Sequence, residues 1–568
     1  MSQTTAPSRT TGVAMSHRQI LEALSGLLLG MFVAILSSTV VSNALPRIIT
    51  ELRGGQSAYT WVVTSTLLAT TATIPLWGKL SDLISKKALV QLSLVIYVLG
   101  SVLAGLSQST EWLIACRVLQ GIGAGGLTAL AQVIMASMIS PRERGRYSGY
   151  LGAVMAVGTI GGPLIGGVIV DTSWLGWRWC FYVGVPFALA ALVVLQKTLH
   201  LPVVRRQVKI DWWGATLITA AVSLLLIWVS LAGDKYDWMS WQSAVLVVGA
   251  LLIGALAIRV ETRASEPVIP PRLFRNRTIT LATVASIAVG VGMFGASVFL
   301  SQYFQISRGQ SPTMSGLMTL PMILGLLISS TVTGRLITKT GRWKRYLVAG
   351  AALLTIGFAL MGTLRYDTNF WLLSCYMAII GVGLGMTMQN LVLAVQNTVG
   401  PQDLGAASSV VAFFRSLGGA VGVSALGAVL GHRVKDFIAD GLAGLGLPAS
   451  ASGGSGLPDV HALPGPIRTV VESAYGHGAG DVFLAAAPFA LIALIAVSFI
   501  KEVPLRRHNG PTADEAERDS TAAAGTDRQS TGGLAGNQRR STASAEHDRK
   551  PTLGAAHAAA VVRSGDKS

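Results

Sequence analysis

Fourteen stretches of roughly 20 apolar residues, joined by short connections, occupy the chain from residue 21 to residue 500. A helix needs about 20 such residues to cross the hydrocarbon core of a bilayer. The stretches fall near 21–45, 58–77, 88–106, 111–138, 147–170, 179–198, 212–232, 243–260, 279–305, 313–338, 346–363, 370–396, 404–431 and 482–500. The first is free of charge from Ala23 to Pro46. It is too long for the apolar core of a signal peptide and is read as a retained span. Only 12% of the 568 residues are charged, and 51% are hydrophobic. Soluble domains carry about 25% charged residues, so a soluble enzyme is excluded. A disordered chain is excluded by the same apolar fraction. The expected class is an all-α integral membrane protein.

The net charge of +17 admits a nucleic-acid partner in principle, but its distribution argues otherwise. Connections on the side of the N-terminus hold 22 Lys and Arg before residue 501, and those on the other side hold 9. Basic residues collect on the cytoplasmic face of membrane proteins. Both termini are therefore expected in the cytoplasm of a multi-pass protein of the cell inner membrane. Tryptophans such as Trp77, Trp112, Trp177 and Trp371 stand at span ends, where an indole is partly wet. Cys116, Cys180 and Cys375 lie far apart in apolar stretches and suggest neither disulfides nor metal ligation. No metal and no cofactor is expected.

The sequence also repeats itself at an offset near 256–260 residues. Gly78-Lys-Leu-Ser-Asp-Leu-Ile-Ser-Lys-Lys87 is mirrored by Gly334-Arg-Leu-Ile-Thr-Lys-Thr-Gly-Arg-Trp343. Gly121, Gly123 and Gly125 are mirrored by Gly381, Gly383 and Gly385. Pro141 and Gly145 correspond to Pro401 and Gly405, and Gly161-Gly162 to Gly418-Gly419. The expected organisation follows from this repeat. A cytoplasmic segment (1–20) precedes a six-helix bundle (21–198), and two inserted helices with their flanking loops follow (199–278). A second six-helix bundle (279–500) contains an external loop (432–480). The tail (501–568) has no aromatic residue and mixed charge, and is expected to be disordered. Paired six-span repeats with a site at their interface describe a secondary transporter.

These motifs resemble those of the major facilitator superfamily, specifically the fourteen-span (EmrB/QacA-like) drug:proton antiporters. The resemblance covers residues 20–500 or thereabouts, and several roles come with it. Gly78, Asp82, Lys86 and Lys87 match a loop motif that latches the two halves in one state, with Arg335 in the mirrored copy. Ser85 stands where the family usually has Gly. Arg117, in Arg117-Val-Leu-Gln120-Gly121, matches an intramembrane arginine tied to proton coupling. A cation placed about two turns into a span is a functional group by default. Gly158-Thr-Ile-Gly161-Gly162-Pro163-Leu-Ile-Gly166-Gly167 resembles the antiporter motif that seals exporters against proton leak. Trp177-Arg-Trp-Cys-Phe-Tyr-Val-Gly-Val-Pro186 resembles the signature before the sixth span, with Gly184 in place of the usual Asn.

One departure bears directly on coupling. The family's first span carries an aspartate where this chain has Ser37, in Leu36-Ser37-Ser38-Thr39. A serine hydroxyl does not titrate near neutral pH. From Pro267 to Tyr366 there is no acidic residue at all. Asp171 and Asp82 are therefore the leading alternative proton carriers, and Arg415 adds a second intramembrane cation. Cavity candidates are Ser37, Ser38, Asn43, Gln302, Gln305, Gln389, Asn390, Gln396 and Arg415. Amides bond varied ligands without a charge requirement. Basic groups without acids would favour neutral or anionic amphiphiles.

The expected activity is export of amphiphilic drugs or antibiotics, with protons as coupling ion and the lipid bilayer as surroundings. The alternative is export of a lipid or endogenous metabolite on the same scaffold. The run Gly121-x-Gly123-x-x-Gly126 lies inside a span, so it is helix packing rather than a dinucleotide site. No Gly-Lys-Ser/Thr phosphate loop occurs. An enzyme would need a His, Asp or Cys constellation in one leaflet, and a channel would need repeated polar rings. Neither pattern is visible, so the chain is not expected to be an enzyme, and no nucleic-acid partner is expected.

Overall fold

The computed structural model describes residues 17–53, 56–172, 175–199, 211–232, 236–446 and 464–505. Its first half contains α1 (His17–Glu51), α2 (Gln56–Leu83), α3 (Lys86–Gly105), α4 (Thr110–Met138) and α5 (Pro141–Asp171), followed by the broken pair α6 (Trp179–Tyr182) and α7 (Val185–Thr198). Next come α8 (Trp212–Leu231) and α9 (Trp241–Glu261). The second half contains α10 (Arg277–Gln302), α11 (Pro312–Met318), α12 (Leu320–Thr340), α13 (Lys344–Met361), α14 (Phe370–Gln396), α15 (Leu404–Gly444) and α16 (Gly465–Ser498). Several starts are capped by short polar side chains, as the free amides of a first turn require. Ser85 accepts from Ala88, Asp211 from Gly214 and Asn369 from Trp371.

The two halves are built alike. In the first, α1 packs on α5 and α7, and α4 packs on α2 and α3. In the second, α10 packs on α15 and α16, and α14 packs on α12 and α13. Each half has its own apolar interior: Leu94, Leu130, Ile134 and Leu195 in one, Phe299, Phe358, Leu384 and Phe483 in the other. Between the halves, α2 lies on α15 and α5 on α12, which are equivalent seams once the repeat is superposed. The helices α8 and α9 pack on each other, and α8 also touches α2 and α15.

Lipid tails are as apolar as leucine, so helices in a bilayer associate through close packing rather than through the hydrophobic effect. The repeated glycines supply that packing. A side chain on Gly121 or Gly125 would strike the backbone of α2, and one on Gly123 the backbone of α3. Gly381 and Gly385 lie in the same way on α12, and Gly383 on α13.

The described helices bear on two expectations. Twelve helices among the described residues are long and apolar enough to cross a membrane, where the sequence reading expects fourteen spans. The two others, α2 and α5, have 28 and 31 residues but are rich in Thr, Ser, Gly and charge. They are the helices of the first half that face the second half, so protein rather than lipid covers much of their surface. The second concerns 432–480, expected as an external loop. Its two ends are helical, because α15 runs to Gly444 and α16 starts at Gly465. These extensions pack on each other, with Gly441 against Val470 and Gly478 against Leu430 and Val434. Residues 447–463, residues 1–16 of the expected cytoplasmic segment (1–20) and residues 506–568 of the expected disordered tail (501–568) lie outside the described residues. Residues 501–505 are docked: Glu502 accepts from the amides of Trp343 and Lys344 at the start of α13.

Candidate functional site

At the end of the bundle where α1 begins, called here the inner end, Asp82 projects from the last turn of α2 beyond the apolar stretch 58–77. It accepts hydrogen bonds from the backbone N–H groups of Gly405 and Ala406, 2.8 Å each, in the first turn of α15. The partners are 323 and 324 residues apart in sequence. Those amides are among the donors a helix leaves free at its start, and its dipole favours an anion there. The approach depends on two glycines. A Cβ on Gly78 would lie 2.2 Å from Ser409 Oγ, and one on Gly405 would lie 2.4 Å from Gly78 O. Burial pushes the Asp82 carboxyl up to about 7, against the opposing pull of the two amides and of Lys86 and Lys79.

The lysines of this loop have different surroundings. Lys87 donates to Gln196 O at 2.7 Å, within the first half. Lys86 is half-buried at the start of α3. Lys79, not singled out by sequence, is buried and pairs with Glu266 at 2.5 Å in the linker after α9. The same linker reaches the other half, where Arg272 pairs with Asp403 at 2.8 Å beside the start of α15. In the mirrored loop Arg335 is exposed, and Thr338 occupies the place equivalent to Asp82.

Further into the bundle, Arg117 is buried on α4 and donates to Gln120 Oε1 at 2.7 Å and to Val62 O at 3.4 Å. Gln120 in turn donates to Ser101 at 2.7 Å. Ser37 is buried on α1, and its Oγ lies 2.5 Å from where a Gly184 side chain would begin. The two departures from the family pattern therefore touch, and an Asn at 184 would collide with Ser37 as it stands. A Cβ on Gly162 would lie 1.9 Å from Thr39 Oγ1, so α5 crosses α1 at backbone distance. Pro163 lies in the same turn of α5. Asp171 ends α5 and Asn43 lies in α1, and the side chains of Pro163, Asp171 and Asn43 are outside the described residues.

The amide candidates divide into two groups. Gln389, Asn390 and Gln396 line a narrow cavity between the halves together with Gln132 and Arg144. Across it Gln132 donates to Gln389 Oε1 at 3.3 Å, and Arg144 donates to Gln396 Oε1 at 2.8 Å. Gln396 also donates to Ser408 of α15. Arg144 was not expected from sequence, although it stands in the repeated Pro141-to-Gly145 segment. Gln302 and Gln305 lie apart, toward the other end of α10, where Gln305 bonds Ser301. Ser38 is exposed on α1. Arg415 is buried on α15, and its guanidinium makes no hydrogen bond or ion pair among the described residues. The described residues contain no group of three or more His, Cys, Asp or Glu placed to hold a metal.

Comparison with known proteins agrees with this architecture. The sequence profile of the Major Facilitator Superfamily matches residues 27–423. An uncharacterised MFS-type transporter of Mycobacterium tuberculosis is 38% identical over 506 residues, covering 88% of this chain and 73% of that protein. The multidrug transporter protein MdtP of Bacillus subtilis is 36% identical over 432 residues, covering 76% of this chain and 79% of that protein. Among solved structures, the proton:xylose symporter XylE superposes with a TM-score of 0.57 at 16% identity, covering 89% of this chain and 99% of that one. At that identity the likeness concerns the fold alone. The two repeated half-bundles and these matches together place the chain in the major facilitator superfamily of multi-pass membrane transporters.

Proposed function

We propose that this transporter exports amphiphilic drugs or antibiotics across the cytoplasmic membrane by proton antiport, its two halves alternating around a central cavity. In this reading the chain belongs to the fourteen-span drug-exporter branch, α2 and α5 also span the membrane, and both termini face the cytoplasm. The observation that carries it is the bond from Asp82 to the start of α15. It joins the halves at the inner end in the arrangement described, and breaking it opens the cavity to that side. The relative named as a multidrug transporter, MdtP, supports the substrate class. Ser37 leaves the first span without a titrating group from Ala23 to Pro46, so Asp82, a carboxyl held near neutrality at the junction of the halves, is the preferred coupling acid in place of Asp171. Arg117 and Arg415 give the membrane interior a cationic character, which favours neutral or anionic amphiphiles over dications.

Export of a lipid or endogenous metabolite is the second reading. It is favoured by an apolar groove at the outer end of α5 and α6, lined by Ile165, Val168, Ile169, Leu175, Trp179 and Val183. Counterflow by purified protein in liposomes tests the first reading, with anionic, neutral and cationic amphiphiles assayed with and without a proton gradient. Gradient-stimulated movement of neutral and anionic compounds is the expected result. Movement indifferent to the gradient refutes antiport, and preferential transport of dications refutes the charge argument. Altered envelope lipids with unchanged drug tolerance in a deletion strain favour the second reading.

A further inference from the structure

The inserted helices bring together two acids that the loop and cavity described above do not use. Asp211 caps the start of α8, where its Oδ1 accepts from the Gly214 N–H at 2.9 Å. Glu261 is the last residue of α9 and is 4% exposed; its Oε2 accepts from the Ile269 N–H at 3.0 Å. The remaining oxygens, Asp211 Oδ2 and Glu261 Oε1, are both buried and have no hydrogen-bond partner. They point at the same spot, 2.4 Å and 2.2 Å from where a Gly214 side chain would begin.

Two buried carboxylate oxygens aimed at one spot without a donor repel each other when ionised, and like charges in a dry site favour one group keeping its proton. A single proton supplies the missing donor and satisfies both oxygens. We propose that Asp211 and Glu261 form a proton-binding site that holds one proton between Oδ2 and Oε1. Its place in transport rests on the proton-coupled reading above, whereas the site itself does not.

The charges acting on Glu261 are Asp211 and Lys79, and Lys79 comes from α2. Glu266, from the linker, is the ion-pair partner of Lys79. Lys79 also acts electrostatically on Asp82, three residues along the same helix. When the proton leaves for water at the inner end, the O–H bond breaks and two negative charges face each other. Lys79 is the nearby cation that answers them, so its hold on Glu266 and Asp82 weakens. The state of the inserted pair thereby reaches the junction between the halves.

The full-length protein in lipid nanodiscs, followed by infrared difference spectroscopy of the carboxylic-acid C=O stretch, tests this. Asp82 is first replaced by Asn, because its own carboxyl, held at about 7, would add an acid band; in that background the protein should show a deuterium-sensitive acid band at neutral pH. Glu261→Gln and Asp211→Asn each place an N–H donor in the pair and should each abolish that band. Absence of the band from the Asp82→Asn background at neutral pH overturns the proposal. Survival of the band in either variant overturns it as well. A band with these properties in a protein that ignores a proton gradient supports the site and sinks the coupling reading. Gradient-driven transport by a protein lacking the band sinks the site alone.

Discussion

Replacing Asp82 with alanine removes both acceptors from the first turn of α15. In the joined state the N–H groups of Gly405 and Ala406 are buried against α2, and each loses a 2.8 Å bond. A buried donor left without an acceptor costs about 1–3 kcal/mol. Two of them cost about 2–6 kcal/mol. The lower limit already changes the ratio of joined to released molecules by about thirtyfold. Spin labels at Ile84 and Gln402, both exposed and on opposite halves, report the separation directly. Cys375 is exposed and is replaced first, while Cys116 and Cys180 are buried. Electron–electron distance measurements on Asp82→Ala should show a longer inner-end distance gaining population. Asp82→Asn, which keeps one acceptor and turns a donor toward the other amide, should fall between. Identical distributions in wild type and Asp82→Ala would refute the assignment of the latch to this carboxylate.

Proton binding should act on the same equilibrium. The Asp82 carboxyl sits at about 7 in the joined state, against an ordinary value of 3.8 once it meets water. The joined state thus binds the proton more firmly: its advantage is full below about 4 and is lost as pH rises to about 7. The labelled distance should lengthen over that window in wild type and stay flat in Asp82→Asn. Gly162→Val forces a side chain into Thr39, whereas Gly152→Ala meets nothing closer than 3.7 Å. The first should lower the unfolding temperature, by overpacking worth about 1–3 kcal/mol, and abolish export; the second should do neither. Gln120→Leu takes away the 2.7 Å acceptor of Arg117, at a cost of about 1.5–3 kcal/mol, and Gln120→Glu should restore the stability lost. Arg415→Gln should reduce transport of anionic relative to neutral amphiphiles by at least about tenfold in liposomes, and an unchanged ratio rules out a role in charge selection.

Much of this arrangement is legible in the residue order, because a bilayer leaves few options for an apolar stretch of 20 residues. The glycine triplets at 121–125 and 381–385 could be read as packing surfaces, and they meet the helices on either side in the same way. Least plain in the sequence are the stretches whose surroundings are protein rather than lipid. The two polar helices α2 and α5 face the other half, and 432–480 continues two helices past the apolar region. Contacts between distant segments were out of reach. Gly78 and Gly405 each carry a local signal, but nothing in either segment says that they oppose each other. Arg144 stands among other basic residues of its connection, and only the fold shows it reaching Gln396. Asp211 and Glu261, fifty residues apart at the ends of separate helices, read as ordinary capping and boundary residues until α8 and α9 are packed together.

The repeat makes the two seams, α2 with α15 and α5 with α12, geometric equals, yet their chemistry differs. One carries Asp82 at the fourth place after its glycine, and the other carries Thr338, whose hydroxyl turns back to Gly334 O. A titrating group on one edge and an uncharged one on the other suit, in the proposed transport cycle, a door rather than a seesaw. In that proposed cycle, the edge at α2 would unzip when its charge state changes, and the edge at α5 would keep its packing as the jamb on which the panel swings. Opening then sweeps a wide angle past the linker between α9 and α10, whose Glu266 and Arg272 are tied to opposite sides of the moving edge. That linker is the stay that limits how far the door travels.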